Sequence, residues 1–276
     1  MNILIINGTP KTTGLCYSFV TAAEDAAKQA GSTFETISLS KLNLNKCKMC
    51  GDGWGPCFEE HYCVFGEKDG FTQLQAKVEK SDAFIYITPV YWGEISEEFK
   101  IFLDKLRRCE ATKQWDSREG KVSFLKDKPS IIVASAGGGG GGIVTTFADI
   151  ERAISQMGGD AWPRETHGIF DFIAVNRWNK SYKLDTLKLA VKAMIAHLEN
   201  PKAVSVTAQP NFTVLCKFDN GEESTFDIKP YLDKKPFDEL KQNNLFENVS
   251  ITGVHIEWRS GISIEISELL QNNANS

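Results

Sequence analysis

The sequence predicts an α/β fold with a doubly wound parallel sheet of five strands, followed by a small α+β domain. Short apolar runs alternate with longer amphipathic segments through the first 200 residues, as in sheets whose parallel strands are joined by helices. After Pro201, which ends the last long helix, the chain changes to short strands of alternating polarity. We therefore predict two domains, residues 1–200 and residues 201–276.

The first domain is expected to alternate strand and helix, because its apolar runs are short and suit strands that are buried on both faces. The expected strands are 2–7, 33–38, 83–88, 130–135 and a short one near 159–164. The expected helices are 14–30, 69–80, 96–108, 145–157 and 182–198.

The second domain is expected to consist of short strands with one helical turn at 237–240. Asp219-Asn220-Gly221 is a strong hairpin turn between two of these strands. The expected strands are 203–207, 213–218, 223–227, 249–257 and 262–266.

Composition narrows the classes of function. With a net charge of −5 and a pI near 5.5, the chain lacks the positive charge that would attract nucleic acid or an anionic membrane. No apolar run approaches the length of a membrane-spanning helix. The first strand begins at Asn2 without a charged segment before it, so we expect no signal peptide. The seven cysteines, an odd number, argue against a disulfide framework, and we expect a cytoplasmic protein.

The turn after the first strand, Asn7 to Gly14, is suited to bind a phosphate group. It leads into a helix N-terminus, which offers free N–H donors and partial positive charge. Thr9 and Lys11 add a hydroxyl and a cation. The turn matches neither the P-loop nor the dinucleotide-binding glycine pattern. A polar turn with a capping threonine would have the same sequence.

Two further turns follow strands that should end at the same sheet edge, where such sheets bind ligands. In Thr88 to Gly93, Pro89 is expected to end the strand, and two aromatic side chains suit a flat ring such as a flavin. The run Gly137 to Gly142 leaves backbone amides free to approach a ring edge. Alternatively, the aromatic side chains of the first of these turns pack into the core, and the glycine run is a flexible linker.

Short motifs in these turns carry a family resemblance. Gly8-Thr9-Pro10-Lys11, Thr88-Pro89-Val90-Tyr91, Phe102-Leu103-Asp104-Lys105 and the run of glycines are similar to motifs of one group of enzymes. To about residue 199 the chain resembles flavodoxin-like NAD(P)H-dependent FMN reductases, and more narrowly the iron–sulfur flavoproteins.

The resemblance implies bound FMN, NAD(P)H as electron donor, a small-molecule electron acceptor such as a flavin or quinone, and a homodimer or tetramer. It implies no catalytic side chain, since the flavin carries the chemistry. The implied cofactor-binding residues are Thr9, Pro10, Lys11, Gly14, Leu15, Cys16, Thr88, Pro89, Val90, Tyr91, Trp92, Gly93, Ser135, Ala136, Gly137 and Gly138.

Four cysteines, Cys47, Cys50, Cys57 and Cys63, fall within one loop with the spacing C-x2-C-x6-C-x5-C. Four thiolates can ligate a [4Fe–4S] cluster or a tetrahedral zinc ion. The iron–sulfur flavoproteins carry a cluster motif here, but with a second gap of typically two residues. An iron–sulfur cluster, zinc and no metal therefore all stay open.

The remaining cysteines, Cys16, Cys109 and Cys216, are expected to be single buried residues. His61 is expected to be a surface residue, with a role as an alternate metal ligand in the cysteine loop as the other interpretation. Two other functions also stay open: an electron carrier that is reduced by a redox protein partner, and a metal-stabilised binding module without enzyme activity. The second domain resembles an uncharacterised domain family, which implies no function.

Overall fold

The computed structural model describes residues 1–51, 53, 55–115, 123, 125–126, 128–161, 173–200, 202–219, 221–242, 244–252, 255–259 and 261–274. The chain forms two compact units, Met1–Ile195 and Ala196–Ser276. Of the helices described, none is both long enough and apolar enough to cross a membrane.

The first unit is a parallel sheet with helices between its strands, which confirms the predicted fold class. Its strands are β1 (Asn2–Asn7), β2 (Thr33–Ser38), β3 (Ala83–Tyr91), β4 (Glu94–Ile95), β5 (Pro129–Ser135), β6 (Asp160–Ala161) and β7 (Ile173–Val175). Its helices are α1 (Leu15–Gln29), α2 (Gly66–Asp69), α3 (Phe71–Lys80), α4 (Glu97–Trp115), α5 (Ile143–Gln156) and α6 (Lys180–Glu199).

The sheet has the strand order β2-β1-β3-β5-β6, and these strands are parallel. β6 pairs with the start of β5 and β7 with its end, so both occupy the same edge. The strands β1, β3 and β5 are buried on both faces, and this is why their sequences are continuous apolar runs. Leu4, Phe84 and Ile132 belong to a cluster with side chains from α3, α4 and α5.

Several boundaries differ from the prediction. The expected helix at 69–80 is divided into α2 and α3 at Gly70, whose φ of 80° no continuous helix allows. α4 continues beyond Arg108, where its apolar pattern becomes weak. β6 lies at the start of the expected strand 159–164, whose last three residues fall outside the described ranges. β7 was not predicted, because three residues are too few to show a pattern.

The prediction that Pro89 ends its strand is wrong. β3 continues to Tyr91, and Pro89 is paired with Ser135 of β5. The Ile87 carbonyl oxygen accepts from Gly8 N, so it faces β1, and the nitrogen of Pro89, two residues on, faces the same way. β1 has already ended at Asn7. Because no residue of β1 lies opposite Pro89, the missing N–H of the proline removes no hydrogen bond from the sheet.

The second unit contains two antiparallel sheets, which confirms the predicted α+β class. The strands are β8 (Ala203–Gln209), β9 (Thr213–Phe218), β10 (Glu223–Asp227), β11 (Val249–Thr252), β12 (His255–Trp258) and β13 (Ser263–Glu265), followed by α7 (Ile266–Ala274). The hairpin between β9 and β10 and the helical turn at Phe237–Lys241 are as predicted. The expected strand 249–257 is instead a hairpin of β11 and β12, and α7 was not predicted.

Candidate functional site

The turn after β1 is held in place by hydrogen bonds between its backbone N–H groups and its own side chains. Thr9 is buried, its N–H donates to Asn7 Oδ1 (2.9 Å), and its Oγ1 accepts from Lys11 N (3.3 Å). The next residues, 10–14, are exposed. The turn thus fixes Thr9 and presents Lys11 to solvent, as an anion site requires.

The N-terminus of α1 follows this turn and has no side-chain cap at Gly14. The amides of the first helical turn are therefore free to bind an anion. Cys16 lies in this turn, and burial raises the pKa of its thiol to about 12. Cys16 is consequently neutral at physiological pH and would not repel a phosphate group.

A chain of hydroxyl groups joins this turn to the end of β3. Thr88 Oγ1 donates to Ser96 Oγ (3.3 Å), and Ser96 Oγ donates to the Gly8 carbonyl oxygen (3.2 Å). Ser96 was not among the predicted site residues, although a serine directly before a helix start is a signal in the sequence. A Cβ on Gly8 would lie 2.7 Å from Phe99 Cδ2, so only glycine fits there.

Beyond Pro89 the chain forms a tight hairpin of β3 and β4 with the loop Trp92-Gly93. Both loop residues have positive φ, 54° and 85°, as in the type I′ turns that match the twist of hairpins. Trp92 is fully exposed and Tyr91 is 45% exposed. Burial raises the pKa of Tyr91, and Cys16 and Glu98 raise it further.

Trp92→Asn is expected to raise the free energy of unfolding by about 1 kcal/mol, because a left-handed conformation costs most L-residues about 1–2 kcal/mol. Asn tolerates this conformation, and Asn-Gly is the preferred pair in type I′ turns. Since the indole is fully exposed, its loss removes no burial. Urea unfolding measures the change. The control is Trp178→Asn, at an exposed tryptophan without positive φ. An equal effect in both variants would contradict strain at Trp92.

The glycine-rich turn after β5 lies against this hairpin. A Cβ on Gly142 would lie 2.2 Å from Gly93 Cα, so the two backbones are in contact. In contrast, a Cβ on Gly137, Gly138 or Gly139 would meet nothing within 4 Å. The Cβ side of these glycines therefore borders open space.

The three predicted turns thus meet at the carboxyl edge of β1, β3 and β5. Some of the predicted residues are buried beneath this edge: Thr9, Cys16, Thr88, Pro89, Val90, Ser135 and Ala136. Others are exposed on it: Pro10, Lys11, Gly14, Tyr91, Trp92, Gly137 and Gly138. Leu15 and Gly93 are partly exposed. The structure brings these positions together, and their contact with a cofactor stays a prediction.

The four-cysteine loop surrounds a cavity of about 100 Å³. Cys47, Cys50, Cys57 and Cys63 all line it, together with Lys105, Arg108 and Cys109 of α4. Among the described residues, no three His, Cys, Asp or Glu side chains converge on a point that could hold a metal ion. The thiols share a cavity without forming a site for a single ion.

A buried ion pair lies beside this cavity. Lys105 Nζ contacts Asp69 Oδ2, and both side chains are almost fully buried. Asp69 also accepts from Asn45 N (2.9 Å) and from Phe71 N (3.1 Å). Burial alone would raise the pKa of Asp69, but its hydrogen bond to Lys105 and the two backbone donors hold that pKa below its ordinary value.

Contacts from α4 hold the cysteine loop. The prediction of a surface position for His61 is wrong: the side chain is buried, and its Nδ1 lies 3.3 Å from the Cys109 carbonyl oxygen. Arg108 donates to the carbonyl oxygen of Gly53. Cys16, Cys109 and Cys216 are buried as expected. Sequence spacing did not reveal that Cys109 faces the loop cysteines.

A groove of about 860 Å³ connects the two sites. The cysteine loop contributes Cys47 and Met49, and the hairpin contributes Tyr91 and Trp92. Lys46 Nζ pairs with Glu97 Oε1 across 2.6 Å at its wall. The two sites are therefore neighbours on one surface.

Comparisons with known proteins agree with this architecture. A family described as NADPH-dependent FMN reductase matches residues 1–152, and a family of unknown function, DUF2442, matches residues 203–275. An iron-sulfur flavoprotein of Methanosarcina thermophila is 29% identical over 105 residues, which are 38% of this chain and 52% of that protein. Another from Methanocaldococcus jannaschii is 31% identical over 107 residues, 39% of this chain and 52% of that protein.

The chain spans about half the length of these curated relatives. A solved FMN-dependent NADH-azoreductase of Bacillus anthracis, in complex with FMN, is 14% identical with a TM-score of 0.48, over 72% of this chain and 100% of that one. Since the family match at residues 1–152 covers more than half of the sequence, the chain belongs to the NADPH-dependent FMN reductase family of flavin-binding oxidoreductases.

Proposed function

We propose that the protein is an FMN-dependent oxidoreductase that transfers electrons from NAD(P)H to a small acceptor, such as a flavin or a quinone, and holds an iron–sulfur cluster in its cysteine loop. The observation that carries the proposal is the meeting of three turns at one sheet edge. The contact between Gly93 and Gly142 and the bond from Ser96 to Gly8 fix these turns together.

The residues at this edge fit FMN. The uncapped amides at the start of α1, the Thr9 hydroxyl and the Lys11 ammonium suit its phosphate. Tyr91 and Trp92 suit the ring face, and the open backbone at Gly137 and Gly138 leaves room for the ring edge. When bound, FMN supplies hydride transfer and electron transfer.

The protein's contribution is position and electrostatics. Backbone amides at Gly137 and Gly138 would stabilise negative charge that develops on the ring edge. The neutral Cys16 thiol would add no negative charge beside the phosphate. Tyr91 and Trp92 of the fixed hairpin would hold the ring face, and both residues line the groove that also borders Cys47. No side-chain acid or base is required for hydride transfer.

The cysteine cavity is where the proposed cluster would lie, since all four loop cysteines border it. Arg108 borders the cavity and would offset part of the negative charge of the thiolates, whereas Lys105 is already paired with Asp69.

The test is anaerobic oxidation of NADH and NADPH by the FMN-loaded full chain, with a quinone and a ferric acceptor. Turnover above free FMN at equal concentration is expected. If neither NADH nor NADPH reduces the bound flavin but a reduced partner protein does, the protein is an electron carrier. Absence of flavin binding would contradict the proposal as a whole.

Thr9→Ala is expected to weaken FMN binding by about 1.5–3 kcal/mol, the usual range for one hydrogen bond to a charged group. Isothermal titration of the apoprotein with FMN measures the change. Thr21→Ala, on the exposed face of α1, is the control and should bind FMN like the wild type. Equal affinities of both variants would contradict a phosphate site at Thr9.

A further inference from the structure

A fourth turn lies at the carboxyl edge of the sheet, beside the three turns of the proposed FMN site. β7 runs parallel to β5 and ends level with it, and Ala136 N donates to the Val175 carbonyl oxygen (2.9 Å). The residues that follow β7, 176–179, therefore emerge next to the glycine-rich turn. A Cβ on Gly140 would lie 3.8 Å from Asn176 Nδ2, so the two turns lie side by side.

Two asparagines fix the conformation of this turn. Asn176 Oδ1 accepts from the N–H groups of Trp178 (3.0 Å) and Asn179 (3.1 Å). Asn179 Oδ1 accepts from Asn176 N (2.9 Å), and its Nδ2 donates to the Ala174 carbonyl oxygen (3.1 Å). The side chains of Arg177 and Trp178 take no part in these hydrogen bonds, and both are exposed.

These two side chains form a cationic and aromatic pair. The Arg177 guanidinium lies over the indole of Trp178, 4.5 Å from the ring centroid, and Trp178 is 66% exposed. Lys180 is also exposed, and no carboxylate among the described residues pairs with Arg177 or Lys180. Asp185, the first acidic residue after β7, pairs with Lys188 instead. In a chain with a net charge of −5, this turn therefore carries positive charge that is not compensated.

The pair suits the phosphate and the base of an adenine nucleotide. A guanidinium binds phosphate through two parallel hydrogen bonds, and an exposed indole can stack on a purine. The phosphate of FMN is proposed to lie elsewhere, at the turn after β1. Because β1, β3, β5 and β7 are successive neighbours in the sheet, these two turns are separated by three strand spacings, about 14 Å. An anion at Arg177 would therefore belong to a second ligand.

We propose that this turn binds the adenosine end of NADPH, with Arg177 and Lys180 holding the 2′-phosphate and Trp178 stacking on the adenine. The inference rests on the proposed function, and it names the electron donor and the residues that select it. NADH lacks the 2′-phosphate, which an arginine commonly binds in NADPH-dependent enzymes. The two cations would therefore contact a group that only NADPH carries, whereas Trp178 would contact a group that both dinucleotides carry.

Titration of the FMN-loaded full chain with adenosine 2′,5′-bisphosphate tests the site without turnover. The wild type should bind this probe more tightly than 5′-AMP, which lacks the 2′-phosphate. Arg177→Ala should weaken binding of the bisphosphate by about tenfold or more, the scale of one hydrogen bond to a charged group, and leave binding of 5′-AMP unchanged. Retained FMN shows that the variant is folded.

Lys192→Ala is the matched control, because it removes an exposed cation from the helix that follows the turn, and Lys192 forms no ion pair among the described residues. This variant should bind the bisphosphate like the wild type. Equal losses in Arg177→Ala and Lys192→Ala would overturn the inference, and so would a wild type that binds the bisphosphate and 5′-AMP equally.

Steady-state kinetics separate this inference from the proposed function. Arg177→Ala should raise the KM for NADPH and leave kcat and the kinetics with NADH unchanged. Trp178→Ala should raise the KM for both dinucleotides, and Trp178→Phe should recover part of the loss. A KM for NADPH that Arg177→Ala leaves unchanged would overturn the inference, although the oxidation of NADPH would still support the proposed function. If neither dinucleotide reduces the flavin, the proposed function fails, while a bisphosphate site that Arg177→Ala removes would still support nucleotide binding at this turn.

Discussion

Lys105→Met is expected to lower the free energy of unfolding by about 3–5 kcal/mol, because removal of one partner of a buried ion pair leaves an uncompensated charge. Asp69 is fully buried in this pair and keeps only its two backbone donors in the variant. Urea unfolding of the apoprotein at neutral pH measures the loss.

Lys100→Met is the matched control for this prediction. Lys100 pairs with Asp104 on the same helix, but both side chains are about half exposed. Such exposed pairs contribute about 0.2–1 kcal/mol. The double variant Lys105→Met/Asp69→Asn should recover part of the loss, since it removes both charges. If Lys105→Met and Lys100→Met were equally stable, the buried pair of Lys105 and Asp69 would contribute no more to the free energy of unfolding than an exposed pair.

The same pair predicts how stability depends on pH. The pKa of Asp69 is lower in the folded protein than in the unfolded chain. Its contribution is therefore complete above the ordinary aspartate pKa of about 3.9 and is lost as the pH falls through the lower folded value. The wild type should lose more stability than Asp69→Asn over this acidic range.

Gly142→Ala is expected to lower the free energy of unfolding by about 2–5 kcal/mol. A left-handed conformation costs alanine about 1–2 kcal/mol, and overpacking typically costs about 1–3 kcal/mol more. The new Cβ would lie 2.2–2.4 Å from backbone atoms of Gly93, which cannot rotate away as a side chain could. Thermal or urea unfolding tests this directly.

Gly138→Ala provides the contrast to Gly142→Ala. Its Cβ meets nothing within 4 Å and its φ is not positive, so the stability of the apoprotein should stay unchanged. FMN affinity should nevertheless fall, because the methyl group enters the space proposed for the ring edge. Unchanged FMN affinity in Gly138→Ala would contradict that placement, and unchanged stability in Gly142→Ala would contradict the backbone contact.

The fold could be predicted because its signals are local. Apolar runs such as Ala83–Ile87 predict strands buried on both faces, and glycine-rich turns mark where those strands end. Because the strands were expected to be parallel, the three turns could be expected at one edge. Pro89 was misjudged because its tolerance depends on β1 ending two pairs earlier, which only the register shows.

The parts that sequence reasoning missed depend on contacts between distant segments. Asp69 and Lys105 are separated by 36 positions, and neither lies in a pattern that indicates a pair. In the sequence, Cys109 looks like an ordinary apolar position of a helix. Only the packing of α4 brings it to the cysteine loop. The bond from Ser96 to Gly8 spans 88 positions and likewise has no local signal.

The carboxylate of Asp69 has a consequence for the order in which the protein assembles. It accepts the N–H of Asn45, just before the cysteine loop, and that of Phe71, just after it. One buried side chain thus joins two backbone positions that are separated by 24 residues in the sequence. Closing a flexible loop of that length costs about 3 kcal/mol of chain entropy. The hydrogen bonds to Asp69 therefore meet this cost within the polypeptide itself, and the proposed metal centre would have only the interior of the loop left to order.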